Sequence, residues 1–264
     1  MIAMRSWSLG IAISVLAFDA AHCDFEAIAA VANVCWPHFV SLQKDRTILC
    51  FDGPIGADQN PGVFHELKQD GFFVMRSPGG HAYSSMLLAN ILREKNATVI
   101  VYDYCLSACA NYFLIAASKT YVRKDTIVAW HGGTPKYDCN WIGLDEMRRR
   151  YRRQHDLAED DAAKQVDEFC KATGLAATFF KERGIDDRHI HAPQTAYTHK
   201  MVRMATSERL DKRSVFWMWN PKNQGDYFKS RVIYESYPTS QDHVDEIARR
   251  MPLLRLPLKV YYDP

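Results

Sequence analysis

The chain has 264 residues, of which 47% are hydrophobic and 24% are charged, a composition typical of a globular protein with one sizeable core. Lys and Arg number 33 against 31 Asp and Glu, so the formal net charge is only +2. This balance gives no electrostatic reason for binding a polyanion, and we expect no nucleic acid partner.

The N-terminus has the pattern of a secretory signal peptide. Arg5 precedes an apolar run over residues 7–18, which leads into the small residues at 20–21. The run is shorter than the about 20 apolar residues that a membrane-spanning helix needs. The residue before Cys23 is a histidine, where a lipidated cysteine requires a small residue, so we do not expect a lipoprotein. We predict a signal peptide over 1–21 and a periplasmic or secreted protein.

Seven cysteines in an exported chain favour disulfides, although their connectivity cannot be deduced from sequence. Two pairs would tie a segment outside the central repeat to a neighbour and are favoured for that reason. They are Cys35 with Cys50 and Cys139 with Cys170. Cys105 and Cys109 stand four residues apart at a predicted helix; they could bind a metal or form a redox pair, but we expect them to pack or to pair with other segments. Buried free thiols remain an open alternative.

From residue 47 to residue 130 the chain alternates between short β-rich runs and helical periodicity, as repeated βαβ units do. Strands are predicted at 47–51, 71–75, 98–102, 120–122 and 127–130. Helices are predicted at 61–69, around 86–92 and from near Ser107. Parallel crossovers of this kind are right-handed almost without exception, so we predict an α/β fold built from βαβ units.

A long polar helical stretch over 144–171 follows, and its narrow apolar stripe is typical of a peripheral helix or arm. Its basic run over 148–153 is followed within two turns by acidic residues, which favours a solvated face over a binding surface. The remainder holds a helix near 175–181, an aromatic segment at 215–219, a strand at 232–235 and a helix at 241–250. We assign an N-terminal segment to 22–45 and one domain to 46–264, with the helical arm at 143–210.

Three short segments lie at predicted strand ends, where a doubly wound sheet places its ligands. They are Ser77-Pro78-Gly79-Gly80, Cys105-Leu106-Ser107-Ala108-Cys109 and Trp130-His131-Gly132-Gly133. Each alone is a weak signal, because a Pro-Gly-Gly segment is usually a turn, a serine at a helix start is usually a cap, and a strand-end histidine is usually structural. Their order and spacing together indicate one site.

These segments supply the groups that acyl transfer needs. Pro78 has no N–H and the glycines after it can take positive φ, so the turn can direct the Gly79 N–H outward. Ser107 stands at the start of an apolar helix, which leaves the N–H of Ala108 free to donate. Two such donors beside a serine can stabilise an oxyanion, at ~3–4 kcal/mol per donor. His131, at the end of the next strand, is the candidate general base.

The order of the three segments resembles the proteolytic subunit of Clp protease, in the Clp protease/crotonase superfamily. That pattern is a Ser-Pro-Gly-Gly turn, a nucleophilic serine that opens a helix, and then a histidine; here 24 residues separate Ser107 from His131. The match covers roughly 46–133, and the Cys-x-Ser-Ala-Cys segment looks even more like an uncharacterised exported branch of the superfamily. By this resemblance Ser107 is the nucleophile, His131 the general base, and the amides of Gly79 and Ala108 the oxyanion hole. The resemblance also implies a repeated βαβ core of the crotonase/ClpP type with a peripheral helical arm.

The third catalytic residue is where the chain departs from this family. The family's aspartate precedes a short aromatic strand, and aligning that strand to 216–218 puts the Ser-Val pair at 214–215 in its place. Asp211 is the nearest acid and our candidate, with Asp186 and Asp187 as fallbacks. A Ser-His pair without an acid is expected to be slow, because nothing holds the imidazole tautomer.

His189, His191 and His199 could ligate a metal, since alternate residues of a strand point to one face. No spacing of cysteines or of supporting residues accompanies them, so a polar surface loop is the favoured interpretation. We therefore expect no metal and no cofactor. Coenzyme A in particular is not expected outside the cytoplasm.

The resemblance predicts an exported serine hydrolase, of the peptidase kind, that acts on a peptide or small acyl substrate. An ATP-driven unfoldase is not expected as a partner, because an exported protein has no ATP supply. Clp subunits assemble into rings, so the resemblance leaves open whether this chain forms a homo-oligomer. Two alternatives remain: a non-catalytic binding module that keeps the fold, and a crotonase-type acyl-thioester enzyme, which uses the same oxyanion hole without needing Ser107.

Overall fold

The computed structural model of the chain describes most of the residues from 25 onwards. The described residues are 25–35, 40–131, 139, 141–156, 158–185, 203–204, 206–208, 215–222, 228, 232–251 and 259–263. No helix among them combines the length and the apolar character that crossing a membrane requires.

The strands of the described chain form one large sheet and one separate pair. They are β1 Val40–Gln43, β2 Ile48–Asp52, β3 Phe72–Ser77, β4 Thr98–Leu106, β5 Lys119–Val122, β6 Ile127–Ala129, β7 Val215–Trp219, β8 Val232–Tyr234 and β9 Lys259–Asp263. The large sheet has the order β1-β2-β3-β4-β5-β8, and β6 pairs with the second half of β4. All of its pairings are parallel except that of β1 with β2. β7 and β9 form the second, parallel pair.

Helices cover both faces of the large sheet. They are α1 at 25–34, α2 Gly62–His65, α3 Ala82–Glu94, a π-helix Cys109–Phe113, α4 Trp141–His155, α5 Glu159–Glu182 and α6 Gln241–Arg249. Phe73 and Val99 pack in the cluster that contains α3, the π-helix and α5, whereas their neighbours Val74 and Ile100 pack with α1. Burial on both faces explains why the sequences of these strands are continuous apolar runs. The prediction of an α/β fold is confirmed in this form, a mixed α/β structure with a mostly parallel central sheet.

Several element bounds differ from the sequence-based prediction. The predicted strands between 47 and 130 are present, and β4 extends to Leu106 because β6 pairs with its end. The helix predicted at 61–69 is limited to Gly62–His65. The arm is two helices rather than one stretch over 144–171, and α5 continues through 175–181 despite Gly174. The residue patterns did not predict α1, β1 or β9, which are short or lie outside the repeat.

Three disulfides join described residues of the chain. They are Cys35–Cys50, Cys105–Cys109 and Cys139–Cys170. The first and third were the favoured pairs and are confirmed, and together the three fit a protein of an oxidising compartment.

The Cys105–Cys109 pair corrects the prediction that these two residues would pack or pair with other segments. That prediction treated them as neighbours on a regular helix. Cys105 instead still belongs to β4, and the helix begins only at Cys109. The turn between them brings their Cα atoms to 5.3 Å, within the range that a disulfide requires.

Candidate active site

Ser107 and His131 meet at the carboxyl ends of two adjacent strands. Ser107 follows β4 and His131 lies two residues beyond the end of β6, and these strands are paired in parallel up to Leu106 and Ala129. Parallel pairing brings the residues after both strand ends to the same edge. Ser107 Oγ lies 2.7 Å from His131 Nε2, so the neutral ring can accept a hydrogen bond from the hydroxyl. This is the contact that a serine and its general base require.

Ser107 has a left-handed backbone, with φ of 55°. Among the described non-glycine residues with positive φ, most are Asp or Asn, and Lys44 and Arg46 lie in an exposed turn. Ser107 is different because it joins a buried strand to a buried helix. Its N–H donates to Ala129 O at 3.0 Å, and its carbonyl accepts from the Asn111 N–H at 2.9 Å. A conformation that is costly for a serine yet fixed by its surroundings is a feature of functional sites.

The backbone cost at this position can be measured without reference to activity. We expect Ser107→Gly to be more stable than Ser107→Ala by about 1 kcal/mol, or roughly 2–4 °C in Tm, because only glycine takes positive φ freely. Both variants lack the hydroxyl, so the difference isolates the backbone. Urea unfolding of the two proteins measures it. Equal stability, or a more stable alanine variant, would show that the turn carries no such cost.

The Ser-Pro-Gly-Gly turn is fastened to the chain that follows β2. Ser77 Oγ donates to Gly53 O at 2.7 Å and accepts from the Gly79 N–H at 3.1 Å. Ile55 N–H donates to Gly79 O, and His81 N–H donates to Ile55 O, each at 2.9 Å. The turn is therefore rigid, and the Gly79 N–H that was predicted to face the substrate is engaged by the Ser77 hydroxyl. Sequence reasoning assigned no role to Ser77.

Gly79 lies directly against the Ser107 turn. Its φ is 90°, and a Cβ at this position would stand 2.5 Å from Leu106 O, 2.7 Å from Ser107 Cβ and 2.8 Å from Ala108 N. No side chain fits there. The structure therefore brings together Gly79, Ser107, Ala108 and His131, four of the five residues predicted for the site.

A buried arginine joins the strand ends beneath the turn. Arg76 Nη2 lies 2.7 Å from Asp52 Oδ2, and Nη1 lies 2.6 Å from Asp103 Oδ2, which connects β2, β3 and β4. Burial alone would lower the pKa of Arg76, but the hydrogen bonds to Asp52 and Asp103 outweigh it and raise that pKa. Removing either carboxylate would leave a buried cation less well paired, so this network is a support for the turn above it. A charged residue directly after the apolar run at 72–75 was the available sequence signal.

His131 is held in an apolar environment. Its ring centroid lies 4.5 Å from that of Phe216 in β7, and Trp130 beside it forms a bridge with Trp217 of the same strand. Burial lowers the pKa of His131 below its ordinary value. The imidazole is therefore neutral at pH 7, the form in which it can accept a proton.

The candidates for the predicted third catalytic residue fall almost wholly outside the part of the chain that the structure describes. Asp211, the fallbacks Asp186 and Asp187, and Ser214 all lie outside the described residues. Val215, the other residue aligned with the family's aspartate, is buried in β7 and offers no carboxylate. Asp211 stays a prediction.

The helical arm contacts the residue that follows the Ser-Pro-Gly-Gly turn. His81, the N-cap of α3, accepts from the Ser84 N–H through Nδ1, and its Nε2 lies 3.6 Å from Glu168 Oε2 in α5. Cys170, two residues further along α5, forms the disulfide with Cys139. Because Cys139 follows His131 by only eight residues, the chain after the candidate base is tied to the arm that contacts the turn.

No group of three or more His, Cys, Asp or Glu side chains is placed to hold a metal ion in the described part of the chain. The cluster of His189, His191 and His199 lies outside that part, so the interpretation as a surface loop stays a prediction. A comparison of the sequence with protein-family models and with curated proteins finds no match to either. The case for a function therefore depends on the site itself.

Proposed function

We propose that this chain is a serine hydrolase of the Clp protease/crotonase superfamily, a peptidase that acts on a peptide or small acyl substrate. The observation that carries the proposal is the 2.7 Å contact between Ser107 Oγ and His131 Nε2 at a strand-to-helix turn. The parallel sheet, the Ser-Pro-Gly-Gly turn packed against Ser107 and the disulfides support the same family and an extracytoplasmic location.

In this mechanism Ser107 Oγ attacks the substrate carbonyl carbon while His131 Nε2 takes the hydroxyl proton. The carbonyl electron pair moves onto oxygen, and the resulting oxyanion needs donors fixed before the reaction begins. Collapse expels the amine or alcohol, which takes the proton from His131. A water then attacks the acyl-serine with His131 as the base again, and Ser107 recovers its proton.

The donors that we assign to the oxyanion are the amides of Ala108 and Gly80. The first-turn position of Ala108 leaves its N–H without an intrahelical acceptor. In the turn, Pro78 has no N–H, Gly79 donates to Ser77 Oγ, and His81 donates to Ile55 O. The bridge between Ile55 and Gly80 is parallel and uses the groups on either side of Gly80, so the Gly80 N–H points away from Ile55. We therefore replace Gly79 by Gly80 as the second donor. Gly79 lacks a side chain, which lets the turn pack directly against Ser107.

A binding module that keeps the fold is the second candidate. The engaged Gly79 amide favours it, because the donor predicted from sequence is not available to a substrate. A crotonase-type acyl-thioester enzyme is less well supported, since it has no use for the contact between Ser107 and His131.

Fluorophosphonate labelling of the oxidised protein distinguishes these candidates, because the reagent bonds covalently only to an activated serine. We expect one phosphonyl adduct per chain, located at Ser107 by peptide mass spectrometry. An adduct at another serine, or none after prolonged exposure, would favour the binding module.

The pH dependence of the labelling rate tests whether His131 acts as the general base. We expect the rate to be maximal at neutral pH and to fall as the pH drops through the His131 pKa, because a protonated Nε2 cannot accept the serine proton. Burial places that midpoint below the value of about 6.5 usual for histidine. His131→Gln should remove the dependence together with the rate, whereas His243→Gln, at a partly exposed histidine of α6, should change neither. A midpoint at or above the usual value would contradict the buried, neutral base.

A further inference from the structure

The Cys105–Cys109 disulfide encloses Ser107. It closes a ring over residues 105–109 in which Ser107 is the central residue and the Ala108 amide lies beside it. One sulfur belongs to the end of β4, and the other belongs to the first residue of the π-helix. Both cysteines are fully buried. The cross-link therefore spans the strand-to-helix turn on which the nucleophile and one oxyanion donor depend.

The length of the enclosed loop argues against a role in global stability. The three disulfides have sequence separations of 4, 15 and 31 residues. On the chain-entropy account, a cross-link stabilises the fold more when it closes a longer loop, so the shortest contributes least. What a short ring does instead is limit the backbone conformations of the residues inside it. Here those residues include a serine with φ of 55°, a value that an unconstrained chain rarely adopts.

We propose that the Cys105–Cys109 disulfide is a positioning element for Ser107, and that the site is competent only in its oxidised form. The proposal deepens the hydrolase assignment and rests on it. Reduction by a dithiol would break the Sγ–Sγ bond and leave two thiols, while the dithiol gives up two electrons and two protons and becomes a disulfide. The turn is then free to leave the left-handed conformation, which separates Ser107 Oγ from His131 and redirects the Ala108 N–H. The chain would be inactive in a reducing compartment and active in an oxidising one.

The first test compares two disulfide deletions. In Cys105→Ala/Cys109→Ala we expect the second-order rate of fluorophosphonate labelling to fall about 100-fold, the loss that a misplacement of about 1 Å at a reacting group can cause. Cys35→Ala/Cys50→Ala is the matched control, because that pair lies on the α1 face of the sheet and closes a longer loop. It should lose more thermal stability but label within about twofold of the wild type at a temperature where both variants are folded. Equal labelling by the two variants would overturn the proposal.

A second test uses the native chain, in case the Cys105→Ala/Cys109→Ala variant does not fold. Graded treatment with dithiothreitol is followed by labelling and by peptide mapping of each disulfide. We expect the labelling rate to follow the remaining fraction of Cys105–Cys109 rather than that of the other two pairs, and to return on reoxidation. A rate that follows either other pair would contradict the proposal.

A third measurement separates this inference from the hydrolase assignment. The ¹⁵N shift of the His131 ring nitrogen reports its hydrogen bond to Ser107 whether or not the protein is an enzyme. We expect the oxidised protein to show a hydrogen-bonded Nε2, and the Cys105→Ala/Cys109→Ala variant to lose that signature while the Cys35→Ala/Cys50→Ala control retains it. If the wild type is never labelled, the hydrolase assignment fails, but the ring-nitrogen shift still decides whether the disulfide positions Ser107. An unchanged shift in the variant would refute the positioning role.

Discussion

Ser107→Ala is expected to abolish fluorophosphonate labelling and to lower any ester or peptide hydrolysis by at least about 10³-fold, because the proposed nucleophile is removed. The proposed oxyanion donors remain in this variant and can leave only weak residual catalysis. The lost hydroxyl is small and half-buried, so far-UV circular dichroism and the unfolding midpoint should stay close to those of the wild type. Labelling with intact-mass detection and a chromogenic ester assay measure the two effects.

Ser118→Ala is the matched control for that experiment. Ser118 is exposed at the end of the chain segment that follows the π-helix, and its hydroxyl makes a long contact of 3.5 Å with Asn96. We expect this variant to be labelled and to turn over substrate like the wild type. Hydrolysis that survives in Ser107→Ala would show that the chemistry lies at another residue, and the proposed nucleophile would then be wrong.

The sequence predicted the part of the fold that depends on local pattern. Continuous apolar runs such as 98–102 are typical of parallel strands covered on both faces, and the structure has β4 at that place. The juxtaposition of Ser107 and His131 followed from the same rule, because residues after adjacent parallel strands meet at one edge. What a periodic pattern cannot give is which strands are adjacent. In this chain β4 pairs with β5 along its first half and with β6 along its second, and it is the second pairing that brings His131 to Ser107.

Two features of the site depend on backbone geometry that residue types do not specify. The Cys105–Cys109 bond forms because the chain turns at Ser107, whereas a regular helix through both cysteines would hold their Cβ atoms about 5–6 Å apart, farther than a disulfide spans. The engagement of the Gly79 N–H by Ser77 depends on how the turn is fastened to residues 53–55, which are distant in sequence. Both features are consequences of tertiary contacts. For the same reason, Asp211 cannot be assigned from its distance in sequence to an aromatic strand.

Gly79→Ala is expected to lower the labelling rate of Ser107 by about 100-fold and to destabilise the protein by about 2–4 kcal/mol. Two costs add at this position. A φ of 90° is unfavourable for any residue with a side chain, and the new Cβ would stand 2.5 Å from the carbonyl oxygen of Leu106. Because the neighbours belong to the Ser107 turn, they can make room only by moving Ser107 and the Ala108 amide. Second-order labelling rates and urea unfolding measure the two effects.

Gly174→Ala is the matched control, because it makes the same chemical change at a position in α5. Gly174 lies inside α5, and a methyl group added there would meet no atom within 4 Å, so alanine should stabilise the helix by about 0.5–1 kcal/mol. Its labelling rate should equal that of the wild type. If Gly79→Ala lost stability but labelled at the wild-type rate, the turn would support the fold without shaping the site. The close approach of Gly79 to Ser107 would then have no part in catalysis. The assignment of the neighbouring Gly80 amide as an oxyanion donor would lose its support.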